Sequence, residues 1–167
     1  TKPINELTIY YTSIDNHALA EAQAIDQSLK NMKVNIIKDP ELKVIKDNKK
    51  GGAVHFIAHG EDGKIFFNNS VLKGDEICEA LPDSLENVSF SVCKSGKVLQ
   101  KELYPFNHSS WSHKMLLKNT KKVLTHIWDL GQEASNEFAI NYYNNTFFKG
   151  MIKYRPSEYG GYMIWGL

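Results

Sequence analysis

The sequence predicts an α/β fold, with a mostly parallel sheet of about six strands flanked by helices. At the start of the chain an apolar strand at 7–14, an amphipathic helix at 18–32 and a second strand at 34–37 follow one another. Two further apolar stretches, at 53–60 and 88–96, are bounded by glycines and polar residues, which is typical of short buried strands. Strands that alternate with helices pair in parallel, because a parallel pair needs a crossover of about a dozen residues or more.

The first helix and the later elements are predicted from periodicity and from turn residues. Apolar side chains recur every three or four positions between 18 and 32, and Asp15 or Asn16 is the expected N-cap. The polar stretch 38–50 is expected to be a connection, and turn residues on both sides of Ile65–Phe67 predict a small hairpin. The remaining predicted elements are a helix at 75–81 ended by Pro82, a helix beginning near 98, an irregular loop at 105–112 that holds Phe106 and Trp111, helices at 115–118 and 134–143, and strands at 123–128 and 161–166.

Length, composition and charge indicate one domain over residues 1–167. Hydrophobic residues make up 42% and charged residues 23%, which is ordinary for a soluble globular protein with a core. The net charge of +1 gives no reason to expect a nucleic acid as partner. No apolar run approaches the ~20 residues that span a membrane, so no membrane partner is expected.

The location of the protein is predicted from its first residues and its cysteines. The first residues have no signal-peptide pattern. The two cysteines, Cys78 and Cys93, do not make a disulfide framework, so reduced thiols and a cytoplasmic location are expected. Because the chain begins with Thr1 rather than Met, we expect it to be a trimmed chain or one piece of a longer protein.

A histidine and a cysteine stand at the ends of the two central predicted strands. His59 ends the first of them and Cys93 ends the second. Because the carboxyl ends of adjacent parallel strands meet at one edge of a sheet, a base and a thiol are expected side by side. An imidazole that takes the thiol proton creates a thiolate nucleophile. The backbone amides of Gly60 and Cys93 are the expected donors to an oxyanion.

Simpler interpretations exist for each of these residues taken singly. Taken alone, Cys93 is interpreted as a small core residue and His59 as a structural histidine at a strand end. Their joint placement at two strand ends favours the catalytic interpretation instead. His55 and His59 share one face of a strand, and Cys78 or Cys93 would complete a zinc site. There is no Cys-x-x-Cys, His-Glu-x-x-His, Gly-x-Ser-x-Gly or phosphate-loop pattern. We therefore expect neither a metal nor an organic cofactor, with His55 packed beneath His59.

The two strand ends and three downstream segments carry a resemblance to a known family. The motifs at 55–60 (HFIAHG) and 89–96 (SFSVCKSG) resemble the two catalytic motifs of caspase-like cysteine peptidases, the group that also holds separases, gingipains and metacaspases. They are most similar to those of the CHAT branch. Downstream, 123–128 (VLTHIW), 137–143 (EFAINYY) and 156–166 (PSEYGGYMIWG) resemble a CHAT strand that ends in Trp, the next helix and the final strand.

This resemblance implies a caspase-like three-layer fold and a cysteine endopeptidase that cleaves a protein substrate. It implies that Cys93 is the nucleophile and His59 the general base and acid, in bacterial defence or in regulated proteolysis. Some relatives are activated by calcium or by a partner, so an activating or regulatory protein partner is expected as well. A different class of function is a non-catalytic interaction module, which would bind a partner through the His59 edge or through the loop with Phe106 and Trp111.

The sequence departs from the family at positions that bear on specificity. The caspase form Gln-Ala-Cys-Arg/Gln-Gly is absent, so a preference for Asp before the cleaved bond is not expected. In caspase-like peptidases the pocket lies beside the nucleophile, and the acids expected to line it here are Asp15, Asp129 and Glu133. Gln132 stands where CHAT domains often carry an acid, and the chain is short for such a domain. No arginine stands near these strand ends, so we expect a pocket for a basic or uncharged residue.

Overall fold

The computed structural model describes residues 4–61, 63–92, 111–126, 132–144 and 162–166. In chain order, the elements within these ranges are β1 (Glu6–Tyr11), α1 (Asn16–Ser28), β2 (Lys33–Lys38), α2 (Leu42–Asp47), β3 (Ala53–Glu61), β4 (Lys64–Phe66), β5 (Val71–Lys73), α3 (Gly74–Ala80), β6 (Asn87–Val92), α4 (Trp111–Leu117), β7 (Lys122–His126), α5 (Gln132–Tyr143) and β8 (Tyr162–Gly166).

The central sheet follows the strand order β2-β1-β3-β6-β7-β8. The strand β1 pairs in parallel with β2 and β3, β3 pairs in parallel with β6, and β6 pairs in parallel with β7. Only the pairing of β7 with β8 is antiparallel within this path of described strands. The predicted mostly parallel α/β sheet of about six strands is therefore confirmed. The predicted hairpin is also present, because β3 runs on to pair with β4, which pairs with β5.

Helices cover both faces of the sheet, because successive residues of each strand point to opposite sides. On one face, Val54 and Phe56 of β3 pack in a cluster with residues of α2, α3 and α4. The aromatic ring of Phe56 stacks on that of Phe90 of β6, with 5.3 Å between the ring centroids. On the other face, Ala53 and Ile57 pack with residues of α1 and α5. The carboxyl edge of the sheet is therefore supported by a packed core on each side.

Two elements differ from the expectations drawn from the sequence. The stretch expected to be a polar connection contains α2, in which Ile45 is fully buried. Trp111, expected in an irregular loop, begins α4 and is only 5% exposed. Its indole ring lies against Gly74, where an added Cβ would come within 1.9 Å of a ring atom. These helices have six and seven residues, which is too short for a helical period of apolar residues to be recognised in the sequence. The burial of one large side chain in each of them is what stabilises the helix.

The other bounds lie within a few residues of prediction. The helix α1 begins at Asn16, and its N-cap is Asp15, one of the two caps expected. The first strand ends at Tyr11 rather than at Ile14. The predicted helix near 98 and most of the loop at 105–112 lie outside the described residues. In the part of the chain that is described, every helix is too short or too polar to cross a membrane.

Candidate active site

His59 lies at the carboxyl end of β3, where this strand leaves the parallel sheet. Its neighbour Ala58 pairs with Val92 of β6, whereas His59 itself pairs with Phe66 of β4. Strand pairing therefore fixes the backbone on both sides of the histidine, which is how a rigid element holds a catalytic group. The side chain of His59 is nevertheless 56% exposed. The backbone of His59 is thus fixed, and its imidazole is open to solvent.

The predicted nucleophile, Cys93, lies outside the described residues. In the sequence it follows directly on Val92, the last residue of β6. Because Val92 pairs with Ala58, the described register of the two parallel strands ends one position before His59 and one position before Cys93. The strand that carries the predicted base is therefore adjacent and parallel to the strand that precedes the predicted thiol in the sequence.

The other cysteine is a core residue. Cys78 lies in α3 and is 1% exposed. Burial raises the pKa of its thiol to about 12, with a further contribution from the neighbouring charge of Asp75. A thiol with such a pKa stays protonated at neutral pH and is a poor nucleophile. Of the two cysteines, the chain therefore has only Cys93 as a candidate nucleophile.

Asp15 lies beside His59. Its Oδ2 atom is 3.4 Å from Nε2 of the imidazole. Its Oδ1 atom accepts a hydrogen bond of 2.9 Å from the backbone N–H of His17, which caps α1. The hydrogen bond of the cap orients the Asp15 carboxylate, whose other oxygen faces Nε2 of His59.

Asp15 was expected in the specificity pocket, together with Asp129 and Glu133. The structure places the Asp15 carboxylate against the ring of His59, at the edge where the pocket was expected. Glu133 lies in α5, but its side chain is outside the described set, as is the whole of Asp129. Gly60, a predicted oxyanion donor, pairs with Ile65 in the ladder between β3 and β4. The pocket and the oxyanion donors stay predictions.

A buried carboxylate that sequence reasoning did not single out lies below this edge. The polar residues of β6 are Asn87, Ser89 and Ser91, which alternate with Val88, Phe90 and Val92. Ser91 Oγ lies 3.1 and 3.4 Å from the two carboxylate oxygens of Glu21, to which it donates. Glu21 is 5% exposed. Its spacing from Ala18 and Ile25, three and four residues away, already placed it on the buried face of α1.

His55 lies on the same face of β3, four residues before His59, and is 1% exposed. Its Nδ1 atom is 2.8 Å from the hydroxyl of Tyr143, which donates to Ser89 Oγ at 3.0 Å. Burial lowers the pKa of His55 to about 3, so this imidazole is neutral at physiological pH. Among the described residues, no group of three or more His, Cys, Asp or Glu side chains is placed to hold a metal ion.

Comparison with known proteins adds little to this geometry. No protein-family model and no curated protein matches the chain. A flavodoxin from the domain Archaea has a similar solved structure, with a TM-score of 0.42 and 13% sequence identity. The alignment covers 87% of this chain and 98% of the flavodoxin. A likeness this distant carries no argument about the site or its chemistry.

Proposed function

We propose that this chain is a cysteine endopeptidase of the caspase-like group, similar to its CHAT branch, and that it cleaves a protein substrate. The observation that carries the proposal is the position of His59. Its exposed imidazole lies 3.4 Å from a carboxylate, on a strand whose parallel neighbour leads in sequence directly into Cys93. The mostly parallel sheet with helices on both faces is compatible with the three-layer fold that the sequence motifs imply.

The proposed chemistry uses groups of the protein alone. The imidazole of His59 takes the proton of the Cys93 thiol, and the thiolate attacks the carbonyl carbon of the scissile peptide bond. The imidazolium gives its proton to the leaving amine, and an acyl-enzyme thioester remains. A water molecule, deprotonated by the same imidazole, then attacks the thioester and releases the acid and the thiol. The Asp15 carboxylate stabilises the imidazolium each time it forms.

The charges at this edge support a substrate with a basic or uncharged residue before the cleaved bond. Asp15 and Glu61 bring negative charge to the two segments that flank His59. A pocket for Asp would need a fixed cation, preferably a guanidinium that binds a carboxylate with two hydrogen bonds. The only arginine of the chain is Arg155, far from these segments in the sequence. A positional scan of fluorogenic peptides tests this preference, and selective cleavage after Asp would contradict it.

The alternative function, a non-catalytic interaction module, is less well supported. One of the two surfaces proposed for it included Trp111, which is instead a core residue packed on the ring of Phe90, with centroids 5.2 Å apart. An aromatic side chain that is buried in this way is not available to a partner. The other surface is the His59 edge itself, which the two functions share. Only a chemical experiment separates them there.

A peptidyl acyloxymethyl ketone with Lys or Leu before the electrophile tests the proposal, because it forms a thioether only with an activated thiolate. We expect labelling of Cys93, located by peptide mass spectrometry, and no labelling of Cys78. His59→Ala is expected to abolish labelling and Cys93→Ala to abolish both labelling and cleavage, whereas Cys78→Ser is the matched control that keeps both. A Cys93→Ala variant that still cleaves substrate would disprove this mechanism. Equal labelling of wild type and His59→Ala would favour the interaction module.

A further inference from the structure

One carboxylate ties together the two segments that flank His59. Asp39 directly follows β2, and its Oδ1 atom accepts hydrogen bonds from the backbone N–H groups of Ser13, at 2.9 Å, and Asn68, at 3.0 Å. Its Oδ2 atom accepts a hydrogen bond from the hydroxyl of Ser13. We call this arrangement of Ser13, Asp39 and Asn68 the Asp39 clamp. Three donors from two separate segments therefore converge on a single carboxylate.

The two donor residues of the clamp, Ser13 and Asn68, lie close in sequence to Asp15 and to the strand partner of His59. Ser13 is two residues before Asp15, in the segment between β1 and α1. Asn68 is two residues after Phe66, the residue of β4 that pairs with His59. Asp39 thus connects the segment that carries the carboxylate to the hairpin that holds the base. These two segments bring Asp15 and His59 to a separation of 3.4 Å.

The backbone of Asp39 indicates that this position is constrained. Its φ angle is +42°, in the left-handed region that few residues other than glycine, asparagine and aspartate adopt. Its own N–H donates a hydrogen bond of 2.8 Å to the carbonyl of Tyr11, the last residue of β1. This conformation turns the side chain from the end of β2 toward the segment after β1. A residue that tolerates a positive φ and also carries an acceptor is needed here.

The ionised form of Asp39 is the one that fits the three donors. Burial raises the pKa of this carboxyl, but the hydrogen bonds from Ser13 and from the backbone of Asn68 outweigh burial and bring the pKa below its ordinary value. An ionised carboxylate only accepts hydrogen bonds, so no donor of its own opposes those of Ser13 and Asn68.

We propose that Asp39 is a positioning residue of the active site, which acts through Asp15 to hold the carboxylate against the imidazole of His59. The contacts of the clamp do not depend on the proposed peptidase function, but the effect on catalysis does. The hydrogen bonds described for Asp39 go to Ser13, Asn68 and Tyr11. Its removal therefore leaves the side chains of Asp15 and His59 present and changes how well they are aligned. A small misplacement of a catalytic group is enough to lower a rate severalfold or more.

Three variants test the clamp. Asp39→Gly removes all three acceptor contacts and suits the positive φ, so it adds no backbone strain. Asp39→Asn keeps one acceptor oxygen and also tolerates this backbone, so we expect it to restore much of the function. Asn68→Ala is the matched control, because Asn68 contributes its backbone N–H and not its side chain. Thermal unfolding of each variant shows how much of any effect comes from lost stability.

The first readout is the rate at which the peptidyl ketone labels Cys93. We expect Asp39→Gly to lower this rate about fivefold, the size of effect expected for losing the carboxylate beside His59. The decisive comparison is the double variant with Asp15→Asn. If Asp39 acts through Asp15, Asp39→Gly lowers the rate no further once Asp15 is Asn. Additive losses, or an unchanged rate in Asp39→Gly, would overturn the proposal.

The second readout does not require activity and separates this inference from the proposed function. The ¹⁵N resonances of the His59 ring report the environment of Nε2 in each variant. We expect Asp39→Gly and Asp15→Asn to move them in the same direction, and Asn68→Ala to leave them in place. If Cys93 of the wild type is not labelled but these shifts occur, the peptidase proposal is refuted and the clamp proposal is supported. Labelled Cys93 with unmoved His59 resonances in Asp39→Gly would keep the peptidase and refute the clamp.

Discussion

Replacing Asp15 by Asn removes the charge beside His59 and keeps the cap of α1. Asparagine and aspartate are equally good N-caps, so the hydrogen bond to the N–H of His17 is expected to remain. The lost charge was also favourable at the start of the helix, by about 0.3–1 kcal/mol. We therefore expect the melting temperature to fall by roughly 2–4 °C or less. A larger fall would mean that the cap was lost too.

The expected loss of activity follows from the distance between the two groups. Unit charges 3.4 Å apart attract by roughly 1 kcal/mol in water, and the water value applies because the side chain of His59 is 56% exposed. When the imidazolium forms in the transition state, this attraction lowers the barrier by about the same amount. Losing about 1 kcal/mol of transition-state stabilisation corresponds to about a fivefold lower kcat. For a peptide with an uncharged residue before the cleaved bond, the KM is expected to change little, since Asp15 is proposed to act on the base.

The assay is the cleavage of a fluorogenic peptide, with circular dichroism and thermal unfolding measured on the same samples. Asp26→Asn is the matched control, because Asp26 is an exposed acid on the same helix. We expect this control to keep the wild-type kcat. The reasoning is refuted if Asp15→Asn keeps the full kcat with α1 intact. It is refuted equally if Asp26→Asn loses as much as Asp15→Asn does.

Three further predictions concern the thiols, the packing and the pH dependence. Iodoacetamide at neutral pH is expected to alkylate Cys93 much faster than Cys78, because burial raises the pKa of Cys78 to about 12; equal rates would argue against an activated thiolate. Gly74→Ala is expected to cost about 1–3 kcal/mol in urea unfolding, because the new Cβ meets the buried ring of Trp111 at 1.9 Å; unchanged stability would show that this ring shifts freely. Burial lowers the pKa of His55 from 6.5 to about 3, so between these pH values the imidazole takes up its proton only when the protein unfolds. The free energy of unfolding is therefore expected to fall as the pH drops from 6.5 toward 3, by up to about 1.4 kcal/mol per pH unit from this group. Urea unfolding at pH 7 and pH 5 measures this slope, and a His55→Gln variant with the same slope as wild type would show that another group causes it.

Much of the framework could be predicted from the sequence, because it depends on local patterns. The apolar run that ends at His59 and the run that leads to Cys93 gave both strands and their parallel pairing. Helical spacing places Glu21 on the buried face of α1, but no local pattern shows that its carboxylate meets Ser91. Asp39 was not readable at all, since its role arises from contacts 26 and 29 residues away along the chain. Contacts of that kind depend on how segments meet at the edge of the sheet, and no local pattern records them.

The pairing of β3 has a consequence for how such a site could be switched. Ala58 is held by the parallel sheet and His59 by the antiparallel hairpin, so the base stands where two ladders of hydrogen bonds meet. To move His59, a signal would have to break pairs in one of these ladders. The segment that carries Asp15 lies outside both ladders, so moving it breaks no strand pair. An activating partner would therefore do better to act on the Asp15 segment, which two hydrogen bonds from Ser13 attach to Asp39, than on the histidine. In this arrangement His59 stays fixed, and the position of the Asp15 carboxylate relative to it is what a signal would change.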